Sequence, residues 1–193
     1  PIFDDYGIKT VIMTSMQAVS GAGRSPGVLA LDITDNVIPY IPKEEEKVQI
    51  ETKKILGKLN SNSIIPANFR VSCTCTRVNV REGHTETVFA ETARKAEPED
   101  IVKSMKKYSK RFASRGLPSA PKEMITISDD QFRPQPRLDR DNEDGMTTTV
   151  GRIRKDVAFE NGIKYVLVFH NTKMGAAKGA VLTAEILAKS ELL

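Results

Sequence analysis

Tryptophan is absent from the 193 residues, and there are only seven phenylalanines and four tyrosines. A platform that stacks nucleic-acid bases needs aromatic faces, so this composition argues against one. The formal net charge is only +4, and lysine and arginine are spread along the chain rather than blocked. A basic nucleic-acid footprint is therefore not expected. No run of 18 apolar residues occurs, so no membrane-spanning helix is expected. The first residues, Pro-Ile-Phe-Asp-Asp-Tyr, lack a basic segment followed by an apolar run and do not form a signal peptide. There are two cysteines, Cys73 and Cys75, spaced C-x-C. They cannot frame a secreted disulfide scaffold and lack the further matched ligands of a metal site. The natural setting is a reducing cytoplasm, without nucleic-acid or membrane partners and without a metal. A glycine-rich dinucleotide fingerprint is also missing.

The chain is long enough for one large domain or two small ones, and its apolar (39%) and charged (28%) fractions are those of a globular protein. Residues 8–15 are β-rich and end at a Gly-Ser-Pro loop over 20–27. Residues 28–42 are irregular, with Pro39 and Pro42 as breakers. Residues 43–59 read as a helix with a glycine stop at Gly57. Residues 69–80 alternate as a long strand, and 84–92 form another. Pro98 opens an amphipathic helix in which Ile101, Val102, Met105, Tyr108 and Phe112 recur at helical spacing. Residues 116–146 hold four prolines and many charges, so they form either a long ordered excursion or a mobile loop. Residues 147–154 and 163–170 are strands, and 173–187 a helix opening on Gly175-Ala176-Ala177. The pattern is α+β: a mixed sheet with helices on one face. Residues 1–6 read as the tail of a longer helix.

Arg77 and His84 lie seven residues apart. On one unbroken strand they would point to opposite faces, but Gly83 allows a bulge or turn that brings both to one site. Arginine offers a planar fork for a carboxylate, and histidine can move a proton near neutral pH. Taken alone, such a pair is more often a salt-bridged surface arginine and a structural histidine. Glu44 and Lys47, spaced i, i+3 near a helix start, would be a plain surface pair in isolation, with Glu45 and Glu46 as surface charges. Residues 17–23, Gln-Ala-Val-Ser-Gly-Ala-Gly, form a small-residue loop that a ligand could approach closely. Cys73 and Cys75 share a strand face with Arg77, yet paired strand cysteines are usually small core residues. His170, at the end of a buried strand, reads as structural.

Taken in order, these segments resemble aspartate-semialdehyde dehydrogenase, in the branch typical of archaea and fungi. The resemblance runs from residues 17–23 through Glu44-Glu45-Glu46-Lys47, Arg77 and His84 to Val150-Gly151-Arg152-Ile153-Arg154 and His170-Asn171-Thr172. It implies a glyceraldehyde-3-phosphate-dehydrogenase-like domain over residues 1–193, which binds substrate and dimerises. The NADP-binding domain would lie elsewhere, with the helix of residues 173–193 packed on it. The implied reaction reduces L-aspartyl-4-phosphate to aspartate semialdehyde, on the route to lysine, methionine and threonine. By the same resemblance Arg77 clamps the substrate carboxylate, Glu44 holds its amino group and Lys47 the phosphate. His84 is the general acid/base and Gln17 orients the acyl intermediate. Ser20 and Gly21 lie near the nicotinamide, and Asn171 contacts the cofactor. Arg24 departs from the family pattern and has no assigned role. Arg133 to Arg140 would be an interface excursion of a homodimer or homotetramer.

The family nucleophile is a cysteine upstream of the helix tail, so this chain alone would be inactive. Two other readings remain. A malonyl-CoA or succinyl-CoA reductase shares the fold, but its substrate has no amino group or acyl phosphate to engage Glu44 and Lys47. A dimerisation module without catalysis is the third.

Overall fold

A computed structural model describes residues 1–23, 28–61, 63–113 and 115–190. Arg24 and residues 191–193, expected at the end of the last helix, lie outside these residues. A short helix α1 (Ile2–Tyr6) leads into strand β1 (Ile8–Gln17). There follow a one-turn helix α2 (Ala30–Ile33), a two-residue strand β2 (Val37–Ile38) and helix α3 (Glu44–Ile55). A small hairpin of β3 (Lys58–Asn60) and β4 (Ser63–Ile65) precedes β5 (Arg70–Val78) and β6 (His84–Thr92). Helix α4 (Pro98–Ala113), β7 (Ile125–Ser128) and the single turn α5 (Pro136–Asp139) come next. Strands β8 (Thr148–Asp156) and β9 (Gly162–Phe169) and helix α6 (Lys178–Lys189) complete the chain.

Seven strands form one mixed sheet in the order β2-β5-β1-β6-β9-β8-β7. β1 pairs parallel with β5 and antiparallel with β6, while β9 pairs antiparallel with both β6 and β8. Directly paired residues point to the same side of a sheet. Met13, Cys73, Val88 and Tyr165 therefore share one face, as do Ser15, Cys75, Glu86 and Leu167. Helices α3 and α4 cover this face. α3 lies over β5, and α4 packs Ile101 and Met105 against Ile2, Val150, Ile163, Tyr165 and Leu167. Ile101 and Ile163 are fully buried, each worth about 1.5–3 kcal/mol of apolar transfer.

The expected mixed sheet with helices on one face is thus present, with one refinement. The excursion before β8 folds over the opposite face, where Gly151 allows the backbone of Arg133 to come close. That excursion is ordered around Asp139, which is 1% exposed. Its carboxylate accepts from Arg133 Nε at 2.8 Å and from the backbone N–H of Gln135 at 2.6 Å. Asn142 Nδ2 also donates to it, at 3.3 Å.

Several boundaries differ from the sequence expectations. The helix expected over 43–59 stops at Ile55, and the β3–β4 hairpin follows Gly57. β2 and β7 arise within segments read as irregular. The helix expected from residue 173 begins at Lys178. It is preceded by a wide turn, Lys173–Ala177, in which Ala176 leaves helical geometry. β1 runs two residues longer than its apolar pattern, so that Gln17 ends a strand rather than opening a loop.

Candidate substrate site

The parallel pair β1–β5 ends with Gln17 and Arg77 side by side. The β1–β6 register places Met16 opposite Thr85, so the next pair along is Gln17 with His84. His84 is the first residue of β6 and pairs with Phe169 at the end of β9. Arg77 and His84 therefore sit on different strands, either side of β1 and on its helix-bearing face. No bulge is needed. The connection between them crosses the end of β1 and is held there by Val19 N–H to Val80 O at 2.9 Å and Ser20 N–H to Arg81 O at 3.2 Å. Gly83, at φ 92°, makes the turn back into β6, a left-handed backbone that a β-carbon would strain.

Ala18 joins the two side chains. It is fully buried. Its N–H donates to His84 Nδ1 at 3.1 Å, and its carbonyl accepts from Arg77 Nη1 at 2.9 Å. The following turn, Val19–Ala22, lays Gly21 directly over both groups. A β-carbon there would fall 2.8 Å from Arg77 Nη1 and 3.3 Å from His84 Nε2. The His84 ring makes a T-shaped contact with Phe169, with centroids 5.5 Å apart.

α3 brings the remaining groups. Lys43 takes a left-handed conformation just before it, and Glu44 is its first residue. Gln17 Nε2 donates to Glu44 Oε1 at 3.2 Å, and Lys47 Nζ stands 3.8 Å from the same oxygen. Arg77 and His84 are nearly buried, at 6% and 9% exposure, whereas the Lys47 side chain is 55% exposed at the rim. The five residues Gln17, Glu44, Lys47, Arg77 and His84 therefore converge at one end of the sheet.

Burial, followed by the Arg77 charge, pushes the His84 pKa down to about 4, with Glu44 opposing. The imidazole is thus neutral at pH 7. Burial also lowers the Arg77 pKa, opposed by Glu44; a guanidinium stays charged in any case. Ser20 and Asn171 lie alongside. Asn171 Nδ2 donates to Ser20 Oγ and its Oδ1 accepts from Gly83 N–H, both at 2.9 Å. Asn171 thus braces the turn at Gly83 against the 19–22 turn. The Ser20 hydroxyl, accepting in that bond, keeps its hydrogen for another acceptor.

The cysteines are structural. Cys75 is fully buried and its pKa is pushed up to about 12 by burial; Cys73 is raised for the same reason. Both lie beneath α3. Cys73 Sγ is 3.3 Å from Glu45 O, and the Glu45 carboxylate accepts from Cys75 N–H at 3.0 Å. Glu45 is therefore a tie between α3 and the outer edge of β5 rather than a surface charge. His170 is buried, with Nδ1 3.2 Å from Thr172 Oγ1, as expected of a structural histidine. Arg133–Arg140 packs beside Gly83 through Pro136 and Arg140.

Two residues escaped the sequence reading. Ala18 acts through its backbone and leaves no side-chain signal. Glu86 lies two residues beyond His84 on the same face, and strand alternation alone could have placed it there. Its pKa is raised to about 7 by burial. Its register partner Ser15 has a buried hydroxyl without a hydrogen-bond partner.

The fold and this site define an α+β domain in which Gln17, Glu44, Lys47, Arg77 and His84 gather at one end of the sheet. The chain belongs to the semialdehyde dehydrogenase dimerisation-domain family, which matches residues 1–174. It is 47% identical over 187 residues to an aspartate-semialdehyde dehydrogenase of Methanothermobacter thermautotrophicus, covering 97% of this chain and 54% of that protein. It is 41% identical over 201 residues to the Saccharomyces cerevisiae enzyme of the same name, covering 100% and 54%. The solved aspartate semialdehyde dehydrogenase with NADP from Candida albicans superposes with a TM-score of 0.87 at 39% identity, over 100% of this chain and 54% of that one. Aspartate semialdehyde dehydrogenase II complexed with ASA from Vibrio cholerae gives 0.78 at 28% identity, over 98% and 57%. The chain spans about half the length of the relatives it matches. No described helix is long and apolar enough to cross a membrane.

Proposed function

We propose that this chain is the substrate-binding and dimerisation part of an NADP-dependent aspartate-semialdehyde dehydrogenase. The full-length enzyme reduces L-aspartyl-4-phosphate to aspartate 4-semialdehyde, in amino-acid biosynthesis in the cytoplasm. The observation that carries this reading is the convergence of Gln17, Glu44, Lys47, Arg77 and His84 at one sheet end. Two cations, a carboxylate, an amide and an imidazole match a substrate with a carboxylate, an ammonium and an acyl phosphate.

Each group has a role suited to its position. Arg77, fixed through Ala18, presents its remaining N–H donors to the α-carboxylate. Glu44 holds the ammonium group, and the exposed Lys47 meets the phosphate. Gln17 holds the Glu44 carboxylate and orients the acyl group beside it. His84, the acid/base candidate, faces the reacting carbonyl. A thiolate from the remainder of the enzyme attacks the acyl phosphate and expels phosphate, so that this chain binds and positions but supplies no nucleophile.

Ser20 and Gly21 fit the edge of a nicotinamide cofactor, since Gly21 adds no bulk above Arg77 and His84 and Ser20 has a hydroxyl hydrogen to give. Asn171 holds Ser20 in place. When bound, NADPH supplies the hydride. The family's dimerisation role favours a homodimer or homotetramer, with the Arg133–Arg140 excursion at or near an interface and the last helix against the nucleotide domain.

The test is an assay of the full-length protein with aspartate semialdehyde, phosphate and NADP⁺, against malonyl-CoA with NADPH. Phosphate-dependent NADPH formation supports the proposal. Activity with malonyl-CoA alone would transfer the site to a CoA thioester, and inactivity with both would leave a non-catalytic dimerisation module.

A further inference from the structure

Arg81, Arg137 and Arg140 line one pocket of about 500 Å³, with Asn79, Val80 and Pro136 as its other walls. None of the six is acidic. Arg81 lies on the connection that crosses the end of β1. Arg137 is within α5 and Arg140 caps it, and residues three apart share one side of a helical turn. Arg140 Nη1 donates to Glu82 O at 3.0 Å, which ties α5 to the connection.

The nearby carboxylates are engaged elsewhere. Asp139 turns inward to Arg133. Glu82 Oε1 accepts from Thr172 Oγ1 at 3.4 Å, and its Oε2 stands 3.9 Å from His170 Nε2. Asp141 Oδ1 accepts from Lys173 Nζ at 2.9 Å. Its other oxygen lies 3.5 Å from Arg140 Nε, yet that nitrogen is buried and makes no hydrogen bond. The exposed Arg81 and Arg137 side chains have no hydrogen bond or ion pair among the described residues. Three guanidinium groups in one concavity repel one another, and a buried donor without an acceptor is costly. An anion that accepts from all three offsets both.

We infer that this pocket binds a small phosphorylated anion carrying at least two negative charges, at a site separate from the substrate cluster. The guanidinium fork matches phosphate oxygens. A single carboxylate would offset only one of the three charges. The pocket is larger than one phosphate group and falls within the usual range of small-molecule sites, so the ligand carries a second phosphate or an organic part. Its effect reaches the substrate cluster through the backbone. The Val80 and Arg81 carbonyls hold the Val19 and Ser20 N–H groups, and those residues open the turn that covers Arg77 and His84.

Pyrophosphate is the probe. Phenylglyoxal modifies accessible guanidinium groups, and mass spectrometry of the full-length protein reads each arginine separately. Saturating pyrophosphate should slow modification of Arg81 and Arg137 at least about fivefold and leave the exposed Arg70 and Arg152 unchanged. No protection, or equal protection by sodium chloride at matched ionic strength, would overturn the inference. So would protection that appears without pyrophosphate as protein concentration rises, which would give the pocket to a second copy of the chain. Arg81→Gln alters an exposed side chain and leaves the packing intact. In that variant, half-protection of Arg137 should need at least about tenfold more pyrophosphate. An unchanged requirement would show that the arginines do not share one ligand.

Discussion

Gln17 and Arg77 are register partners: the last residue of β1 lies beside the second-to-last of β5, and both side chains emerge on the helix-bearing face. Arg77 is then locked by its bond to the Ala18 carbonyl. Lysine would keep the charge but lose the fork. Arg77→Lys in the full-length enzyme should raise KM for aspartate semialdehyde about 10–100-fold, with a smaller change in kcat. An unchanged KM would remove Arg77 from substrate binding.

Gly21 covers the two groups without touching the core. A β-carbon there meets Arg77 Nη1 and the His84 ring, and Arg77 cannot swing aside without leaving Ala18. Gly21→Ala should lower kcat/KM about tenfold or more while shifting the unfolding midpoint little. Matched circular-dichroism melts and steady-state kinetics check this. A large loss of stability with unaltered activity per folded molecule would contradict it.

Cys73 and Cys75 should behave as core residues. Burial raises both thiol pKa values, Cys75 to about 12, so the reactive thiolate is scarce at pH 8. A thiol-reactive dye should label neither in the native chain within minutes and both after unfolding. Rapid native labelling of Cys75 would show that its cover by α3 is wrong.

Glu86 predicts a pH-dependent stability. Its folded pKa of about 7 lies above the ordinary 4.5. Between these values the folded state holds a proton that the unfolded state has released, so stability falls as pH rises through this window. Glu86→Gln should stabilise the chain by up to about 2 kcal/mol at pH 8 and have little effect at pH 4. Urea unfolding at the two pH values measures the difference. Equal destabilisation at both would mean that the carboxylate has a partner.

Asp139 anchors the excursion beside the site. Removing it strands the Arg133 guanidinium and the Gln135 N–H. Asp139→Ala should cost about 3 kcal/mol in thermal or urea unfolding. A change within about 0.5 kcal/mol would show that the carboxylate is dispensable.

Much of this was legible in the sequence. The alternation of residues 69–80 and the helical spacing from Ile101 to Phe112 announced β5 and α4, because burial imposes those periods on apolar residues. The motif segments named the five residues that converge at the sheet end. Their geometry was not legible. That Arg77 and His84 flank β1, with Gly83 in the turn between their strands, depends on strand order, and β1 inserts between β5 and β6 from far away in sequence. Ala18 was invisible because its contribution is a peptide group. Glu45 read as a surface charge because the Cys75 N–H it satisfies belongs to a distant strand. The excursion before β8 could not be classified because its order comes from one buried carboxylate, Asp139, and not from periodicity.

The division of labour at this sheet end is tested most directly by measuring both substrate KM values in full-length Glu44→Ala and Lys47→Ala variants, in the phosphate-dependent direction. Lys47→Ala should raise KM for phosphate selectively, and Glu44→Ala should raise KM for aspartate semialdehyde selectively. Equal changes in both constants for both variants, or none, would contradict the assignment of this cluster to an amino-acid acyl phosphate.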